Sequence, residues 1–268
     1  MTLTTLRLSE TGQKVTYRAQ GVGEPLVLIH GVGMQSAAWG PQIDHFSGHY
    51  RVIALDMPGH GGSDPLPKGS TLSQYVDWCR AVLETLALGP VNIAGHSMGA
   101  LIAGGLAASQ PQLVARVALL NGVFKRDPAA KAAVQARAAA IRGGDIDIET
   151  PLARWFDAGQ KDARAQVAAW LGAVDPAGYA TAYTAFAGGD ATYADRFPQI
   201  SCPFLAMTGD GDPNSTPAMA KAMAGAVQNG RDITLKGHRH MINLTAADAV
   251  NAHLSHWLQT PLTAKEMP

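Results

Sequence analysis

The 268-residue sequence predicts an α/β fold, with a mostly parallel central sheet of about eight strands and helices on both faces. Short, nearly continuous apolar runs alternate with segments of helical periodicity along most of the chain, as in sheets buried on both faces. Apolar residues make up 47% of the chain and charged residues 16%, which suits a large buried core. The length fits one domain with an insertion.

Eight segments are the predicted strands. Residues 6–8 and 15–18 alternate apolar and polar side chains and are punctuated by glycines, which predicts an antiparallel pair at a sheet edge. The remaining strands are predicted at residues 26–29, 52–55, 91–94, 114–120, 204–207 and 232–236.

Three helices have recognisable signals at their ends. Residues 71–88 form an apolar stripe at spacings of three and four, with capping-box spacing at Thr71 and Gln74 and a stop at Gly89-Pro90. Thr216 before Pro217 predicts another helix start. Thr245 is predicted to cap a last helix, in which three apolar residues share one face: Val250, Leu254 and Trp257.

One region interrupts the alternation of strands and helices. Residues 124–197 are alanine-rich, contain no strand-like run and have helix-like pieces at 129–141, 151–156, 164–171 and 176–186. We therefore expect a core built from residues 1–123 and 198–261, a helical insertion at 124–197 and a tail at 262–268.

A serine lies between glycines where the fifth predicted strand meets a helix, in the stretch NIAGHSMGALIAGG at residues 92–105. Gly95-x-Ser97-x-Gly99 in this context is the pattern of a nucleophile elbow, whose small neighbours avoid clashes at a strained turn. The serine hydroxyl then faces a helix N-terminus, where partial positive charge favours an oxyanion. An ordinary strand-to-helix connection is the simpler alternative, and His96 is expected only to pack against the sheet.

A serine nucleophile needs a base and an orienting carboxylate, which follow it in the chain order Ser, acid, His. Asp210 and Asp212 both follow the seventh predicted strand. We prefer Asp212, because Gly209 can make the turn and Asp212 then lies on the loop beyond it.

Two histidines follow the eighth predicted strand. We favour His240 as the base because it is closer to the last helix, and we expect His238 to support or line the site. Half of a metal site at His238-x-His240 is the alternative, but no third ligand lies at a recognisable spacing. We therefore predict no metal and no cofactor.

These motifs together resemble the α/β-hydrolase superfamily over nearly the whole chain. They are His30-Gly31-Val32-Gly33, Asp56-Met57-Pro58-Gly59-His60-Gly61-Gly62-Ser63-Asp64, Gly95-His96-Ser97-Met98-Gly99, Gly209-Asp210-Gly211-Asp212 and His240-Met241. The resemblance implies that Val32 and Met98 donate backbone N–H groups to an oxyanion hole. It also implies that residues 124–197 form a cap over the active site, and that Asp56 and His60 shape a loop.

Within the superfamily, the sequence is similar to the group of 3-oxoadipate enol-lactonases and carboxylesterases. The similarity rests on Arg154-Trp155-Phe156, on Asp175-Pro176-x-Gly178-Tyr179-Ala180 and on Phe186. His30-Gly31-Val32-Gly33 departs from the Ser-Asn-Ser-Leu-Gly of those lactonases and has the general esterase form.

Substrate contacts are predicted from the cap and from loops around the serine. A cap that excludes water from a catalytic serine needs apolar surface, although each aromatic side chain has core packing as its alternative. The predicted contacts are Trp39, Trp155, Phe156, Tyr183, Phe186, His238 and Arg239. Arg126, Arg154 and Arg239 are candidates for binding a substrate carboxylate, with solvated surface as the alternative.

These residues predict a serine hydrolase that cleaves a small carboxylic ester or lactone with Ser97, His240 and Asp212. A second hypothesis is hydrolysis of a C–C or amide bond in a carboxylate-bearing ring-cleavage product. A third is a non-catalytic receptor for a small molecule on the same fold.

The expected partner is a small-molecule substrate. Acidic and basic residues both number 21, so the sequence has no basic excess of the kind that nucleic-acid binders use. No apolar stretch approaches the length of about 20 residues that a membrane span needs. With no secretion signal and two cysteines that cannot form a disulfide framework, we expect a cytoplasmic monomer or homodimer.

Overall fold

The computed structural model describes residues 2–262, so positions 263–268 of the predicted tail lie outside the described residues. Its centre is an eight-stranded sheet. The strands are β1 (Thr2–Arg7), β2 (Lys14–Gln20), β3 (Pro25–Ile29), β4 (Arg51–Leu55), β5 (Val91–His96), β6 (Val114–Leu120), β7 (Phe204–Gly209) and β8 (Gly230–Leu235).

The strand order is β1-β2-β4-β3-β5-β6-β7-β8. β1 and β2 form the predicted antiparallel pair at one edge, β2 also pairs antiparallel with β4, and all other pairs are parallel. The carboxyl ends of β5, β7 and β8 therefore meet at the same edge of the sheet, where α/β sheets bind ligands. The predicted fold class is confirmed.

Ten α-helices surround the sheet within the described residues. Those of the core are α1 (Gly40–Phe46), α2 (Leu72–Thr85), α3 (Met98–Ser109), α8 (Pro217–Gly225), α9 (Ile242–Thr245) and α10 (Ala247–Leu258). Alternate side chains of β3 enter two separate apolar cores. Val27 and Ile29 pack towards α2 and α3, whereas Leu26 and Leu28 pack towards α1 and α10. Both faces of the sheet are buried, which explains its continuous apolar runs.

Residues 124–197, the predicted insertion, contain helices and no strand among their described elements. They are α4 (Pro128–Arg142), α5 (Glu149–Trp155), α6 (Lys161–Ala173) and α7 (Pro176–Gly189), followed by a 3₁₀ turn at Ala194–Gln199. Asp127 and Asp175 cap α4 and α7 by accepting backbone N–H groups, and a proline follows each at the first helical position.

Two helix ends differ from the prediction. α2 ends at Thr85 because Ala87 takes a positive φ of 49°, and Leu88 N–H then bonds to Leu83 O at 3.0 Å, closing a Schellman turn before Gly89. Thr245 does not cap α10: its hydroxyl donates to Met241 O within α9, and α10 begins at Ala247 without a side-chain cap.

No helix within residues 2–262 combines the length and apolar character that crossing a lipid bilayer requires.

Candidate active site

Ser97 lies at the junction of β5 and α3 in a strained backbone conformation, with φ 54° and ψ −112°. A non-glycine residue with positive φ is uncommon and is held there by its surroundings. The flanking glycines are needed for space. A Cβ atom on Gly95 would lie 2.0 Å from Gly99 O, and one on Gly99 would lie 2.1 Å from Ile29 O.

Ser97, His240 and Asp212 form a hydrogen-bonded chain. His240 Nε2 is 3.1 Å from Ser97 Oγ, and His240 Nδ1 is 2.7 Å from Asp212 Oδ2. A carboxylate only accepts, so Nδ1 bears the proton and Nε2 is free to accept the serine hydroxyl. All three side chains are buried, and the arrangement is able to deprotonate a serine.

The Asp212 carboxylate accepts further hydrogen bonds. Oδ1 accepts the backbone N–H groups of Asn214 at 2.8 Å and Ser215 at 3.2 Å, and Oδ2 accepts Asn121 Nδ2 at 2.8 Å. Burial acts to raise the pKa of Asp212, but His240 and these donors outweigh it, and the pKa is lowered. Asp210, by contrast, is exposed and accepts Gly237 N–H from the neighbouring loop.

The backbone N–H groups of Val32 and Met98 have no hydrogen-bond partner among the described residues. Met98 directly follows Ser97, and Val32 follows Gly31, on which an added Cβ atom would lie 3.1 Å from Ser97 Cβ. Met98 is the first residue of α3, so its N–H adds to the positive end of the helix dipole. Val32 lies in a turn after β3 that is closed by Met34 N–H bonding to Gly31 O at 3.1 Å.

His96 has a polar contact that the sequence did not predict. Its Nε2 is 2.8 Å from His240 O, and a carbonyl only accepts, so this nitrogen is the protonated one. Burial lowers the pKa of His96 to about 3 and keeps the ring neutral. His96 therefore fixes the backbone of His240 as well as packing beside it.

Ser97 and His240 open into a cavity of about 460 Å³ between the sheet edge and the insertion. Trp155, Tyr183 and Phe186, all predicted contacts, line it. The Trp155 ring is stacked on the His240 imidazole, with ring centroids 5.4 Å apart. These aromatic side chains form the apolar wall that the sequence predicts.

The other predicted contact residues do not line this cavity among the described residues. Trp39 is fully buried with Leu26 in the core on one side of the sheet, and Phe156 is buried in the core on the other side. His238 Nδ1 is 3.2 Å from Thr245 Oγ1, and Arg239 pairs with Asp157 at 2.7 Å. We do not retain these four in the candidate site.

Three arginines line the cavity among the described residues, Arg126, Arg137 and Arg154. Arg126 forms a buried ion pair with Asp190 at 3.0 Å, and Arg137 lies 3.8 Å from the carboxylate of Asp147. The guanidinium of Arg154, near the end of α5, makes neither an ion pair nor a hydrogen bond with another described residue.

Sequence reasoning missed Asn121 and Arg137, although both have a signal. Asn121 directly follows β6 at the carboxyl edge of the sheet. Arg137 continues a helical face at spacings of three and four with three other cavity-lining residues of α4: Ala130, Ala133 and Val134.

A model of the alpha/beta hydrolase family matches residues 26–253 of the chain. A relative from Acinetobacter baylyi, named (E)-2-((N-methylformamido)methylene)succinate hydrolase, is 52% identical over 258 residues, covering 96% of this chain and 98% of the relative.

Solved structures give the same family likeness. The enol-lactonase from Burkholderia xenovorans LB400 has a TM-score of 0.85 at 28% identity, covering 95% of this chain and 99% of that one. A thermophilic esterase from Thermogutta terrifontis has a TM-score of 0.87 at 22% identity, covering 97% and 98% of the two chains, and shows the shared fold.

Proposed function

This chain belongs to the alpha/beta hydrolase family, and we propose from that premise that it is a serine hydrolase of a small N-acylated enamine dicarboxylate. One observation carries the proposal. The hydrogen-bonded side chains of Ser97, His240 and Asp212 lie at a cavity whose wall contains an arginine without an acidic partner, Arg154.

The proposed reaction begins at Ser97. His240 Nε2 accepts the hydroxyl proton while Ser97 Oγ attacks the acyl carbon, and Asp212 stabilises the imidazolium that forms. The backbone N–H groups of Val32 and Met98 hold the resulting oxyanion. His240 then protonates the leaving nitrogen, the C–N bond breaks, and water hydrolyses the acyl-enzyme by the same steps.

The substrate class follows from the Acinetobacter baylyi relative. Its name describes a succinate, with two carboxylates, that bears an N-methylformamide on a methylene carbon. For such a molecule Ser97 would attack the formyl carbon, the leaving group would be the enamine nitrogen, and hydrolysis of the formyl-enzyme would release formate. An identity of 52% over nearly both full lengths supports the same substrate class for this chain.

The arginines of the cavity suit a dicarboxylate. Arg126 and Arg137 already face acidic partners, so the guanidinium of Arg154 is the one left to bind a substrate carboxylate. Guanidinium and carboxylate groups form bidentate pairs, which would orient the acyl carbon towards Ser97. We assign the segment 124–197 the role of a cap, because it supplies these arginines and the aromatic wall.

A second candidate is hydrolysis of a carboxylate-bearing enol-lactone or ester. The 28% identity to the Burkholderia xenovorans enol-lactonase favours it, and the same serine chemistry applies with oxygen as the leaving atom.

The experiment compares three substrates with the wild type and Ser97→Ala: an N-formyl enamine dicarboxylate, a dicarboxylate enol-lactone and neutral 4-nitrophenyl acetate. We expect formate release from the first substrate with the highest kcat/KM, and loss of several powers of ten in Ser97→Ala. Preference for the lactone supports the second candidate. Failure of a fluorophosphonate to label Ser97 would contradict both and support a receptor.

A further inference from the structure

Two buried histidines outside the triad connect the turn that contains Val32 to the loop after β4. His30 Nδ1 is 2.7 Å from Gly31 O, and its Nε2 is 2.9 Å from Met57 N. His60 Nδ1 is 3.0 Å from Pro58 O, and its Nε2 is 2.9 Å from Gly33 N.

These contacts determine the protonation state of both rings. A backbone carbonyl only accepts and a backbone N–H only donates, so in each ring Nδ1 bears the proton and Nε2 is an acceptor. Both histidines are therefore neutral. Burial agrees with this, because it lowers the pKa of His30 to about 4 and that of His60 to about 3.

The two rings act on adjacent peptide groups of the turn. Gly31 O accepts His30 Nδ1–H and also Met34 N–H, so the carbonyl end of the Gly31–Val32 peptide is held from two sides. A trans peptide is planar, with its N–H pointing opposite to its C=O, so fixing Gly31 O also fixes the direction of Val32 N–H.

His60 fixes the next peptide in the same way. His60 Nε2 accepts a hydrogen bond from the Gly33 N–H. Gly33 has a φ of +80°, as expected for the third residue of a type II turn. The cap closes over this position, because a Cβ atom on Gly33 would lie 2.4 Å from Leu171 Cδ2. Val32 N–H is left free of protein partners among the described residues and at a fixed angle.

We propose that His30 and His60 are positioning residues that aim the Val32 N–H at the oxyanion, His30 through the Gly31 carbonyl and His60 through the Gly33 N–H. This inference rests on the proposed serine-hydrolase function. Asp56 Oδ1 accepts Ser36 N–H from the same segment at 2.6 Å, so the whole turn is fastened to the loop after β4. The motif containing Asp56 and His60 thereby acquires a role in the reaction.

The test uses substitutions that keep one half of each ring's hydrogen bonding. An asparagine amide matches the position of Nδ1, and a glutamine amide matches that of Nε2. His30→Asn keeps a donor for Gly31 O and loses the acceptor for Met57, whereas His30→Gln does the reverse. His60→Gln keeps an acceptor for Gly33 N–H, and His60→Leu removes it.

The readouts are the rate at which a fluorophosphonate labels Ser97, kcat and KM for the best substrate, and the melting temperature. Removing one oxyanion donor costs about 10²–10³ in kcat, and we expect His60→Leu and His30→Gln to lose about 10–100-fold with KM little changed. His30→Asn and His60→Gln should retain most of the wild-type kcat, although their melting temperatures are comparable with those of His30→Gln and His60→Leu.

Two outcomes would overturn the proposal. In one, kcat falls equally in His30→Asn and His30→Gln, and the loss of kcat follows the decrease in melting temperature of each variant. In the other, His60→Leu keeps the wild-type kcat. If the wild type itself is not labelled and hydrolyses none of the three substrates, the proposed function fails instead.

Discussion

Asn121 supports the carboxylate of Asp212 from a backbone position with a positive φ of 47°. Asparagine tolerates this conformation better than most residues, so position 121 combines a backbone requirement with a side-chain donor. The same Nδ2 group also lies 3.2 Å from Arg239 O, next to the candidate base. Asn121 therefore links the carboxylate of Asp212 to the loop that contains His240.

We expect Asn121→Gly to lower kcat about tenfold, because a hydrogen bond to a charged group is worth about 1.5–3 kcal/mol and two backbone donors remain on Asp212. Glycine accepts the positive φ without strain. Steady-state kinetics on the best substrate is the measurement. Lys125→Gly is the matched control, since Lys125 has φ 46° and an exposed side chain. Equal activity of the two variants would argue against a role for Asn121.

Arg154 is the residue on which the proposed dicarboxylate specificity depends. We expect Arg154→Met to raise KM for the dicarboxylate about tenfold, near the lower end of what a charge-assisted hydrogen bond contributes, because Arg154 is exposed. Hydrolysis of 4-nitrophenyl acetate should not change, as it has no carboxylate. Arg142→Met, an arginine of α4 that does not line the cavity, is the control. A parallel loss on both substrates would assign Arg154 a packing role.

At the scale of elements, one buried ion pair joins the two ends of the helical segment α4–α7. Asp190, just after α7, accepts the backbone N–H of Arg126 at 2.7 Å and pairs with its guanidinium at 3.0 Å. The guanidinium also lies 4.5 Å from the centre of the Phe186 ring. This pair joins the segment before α4 to the end of α7.

We expect Asp190→Ala to destabilise the protein by about 3–5 kcal/mol, because it leaves a buried guanidinium without its partner. The double variant Arg126→Met, Asp190→Ala should recover most of that loss, since an apolar pair needs no compensating charge. Urea denaturation measures both. Equal instability of the single and double variants would show that the hydrogen bond to the Arg126 backbone, rather than the ion pair, is what matters.

The predictable elements are those whose signals are local. The strands show up as apolar runs, and the start of α8 was predictable because the Thr216 hydroxyl accepts Met219 N–H within one turn. The start of α10 was not, because Thr245 is the last residue of the short helix α9, and Ala246, which has no side-chain acceptor, precedes α10. The position of so short a helix has no local signal in the sequence.

The same distinction applies to the site. That Ser97, Asp212 and His240 lie close together was predictable, because parallel strands bring their carboxyl ends to one edge of the sheet. Trp39 was wrongly predicted to contact the substrate, because the sequence does not indicate on which face of the sheet a tryptophan after a loop lies. It packs with Leu26 on the face covered by α1 and α10. The ion pair of Arg239 with Asp157 joins the loop that contains His240 to the segment after α5, a contact that no sequence spacing encodes.

At the scale of the whole molecule, three neutral histidines are buried close to the site: His30, His60 and His96. Burial lowers their pKa values to about 4, 3 and 3, against about 6.5 in an unfolded chain. Below pH 6.5 the unfolded state therefore binds protons that the native state does not. The stabilisation that depends on these neutral rings is complete above pH 6.5, and it is lost as the pH falls from 6.5 towards the native pKa values.

We expect each of these histidines to remove about 1.4 kcal/mol of stability per pH unit, or on the order of 5 kcal/mol for all three between pH 7 and pH 5. Asp212 does not contribute to this pH dependence between pH 7 and pH 5, because its lowered pKa keeps it ionised in the folded protein. Asp56 opposes the trend at the acid end, because burial raises its pKa. A loss of this size is a large part of the roughly 5–15 kcal/mol that stabilises a native protein, so the urea midpoint should fall clearly as the pH drops from 7 to 5.

Urea midpoints at pH 7.5, 6.5, 6.0 and 5.5 would measure this slope directly. His60→Gln removes one of the three titrating rings while keeping an acceptor for Gly33 N–H, so its stability should depend on pH about one third less steeply. The exposed His49, replaced by glutamine, is the matched control for losing a ring that is not buried. A wild-type midpoint that stays constant between pH 7.5 and 5.5 would mean that the buried rings do not titrate on unfolding.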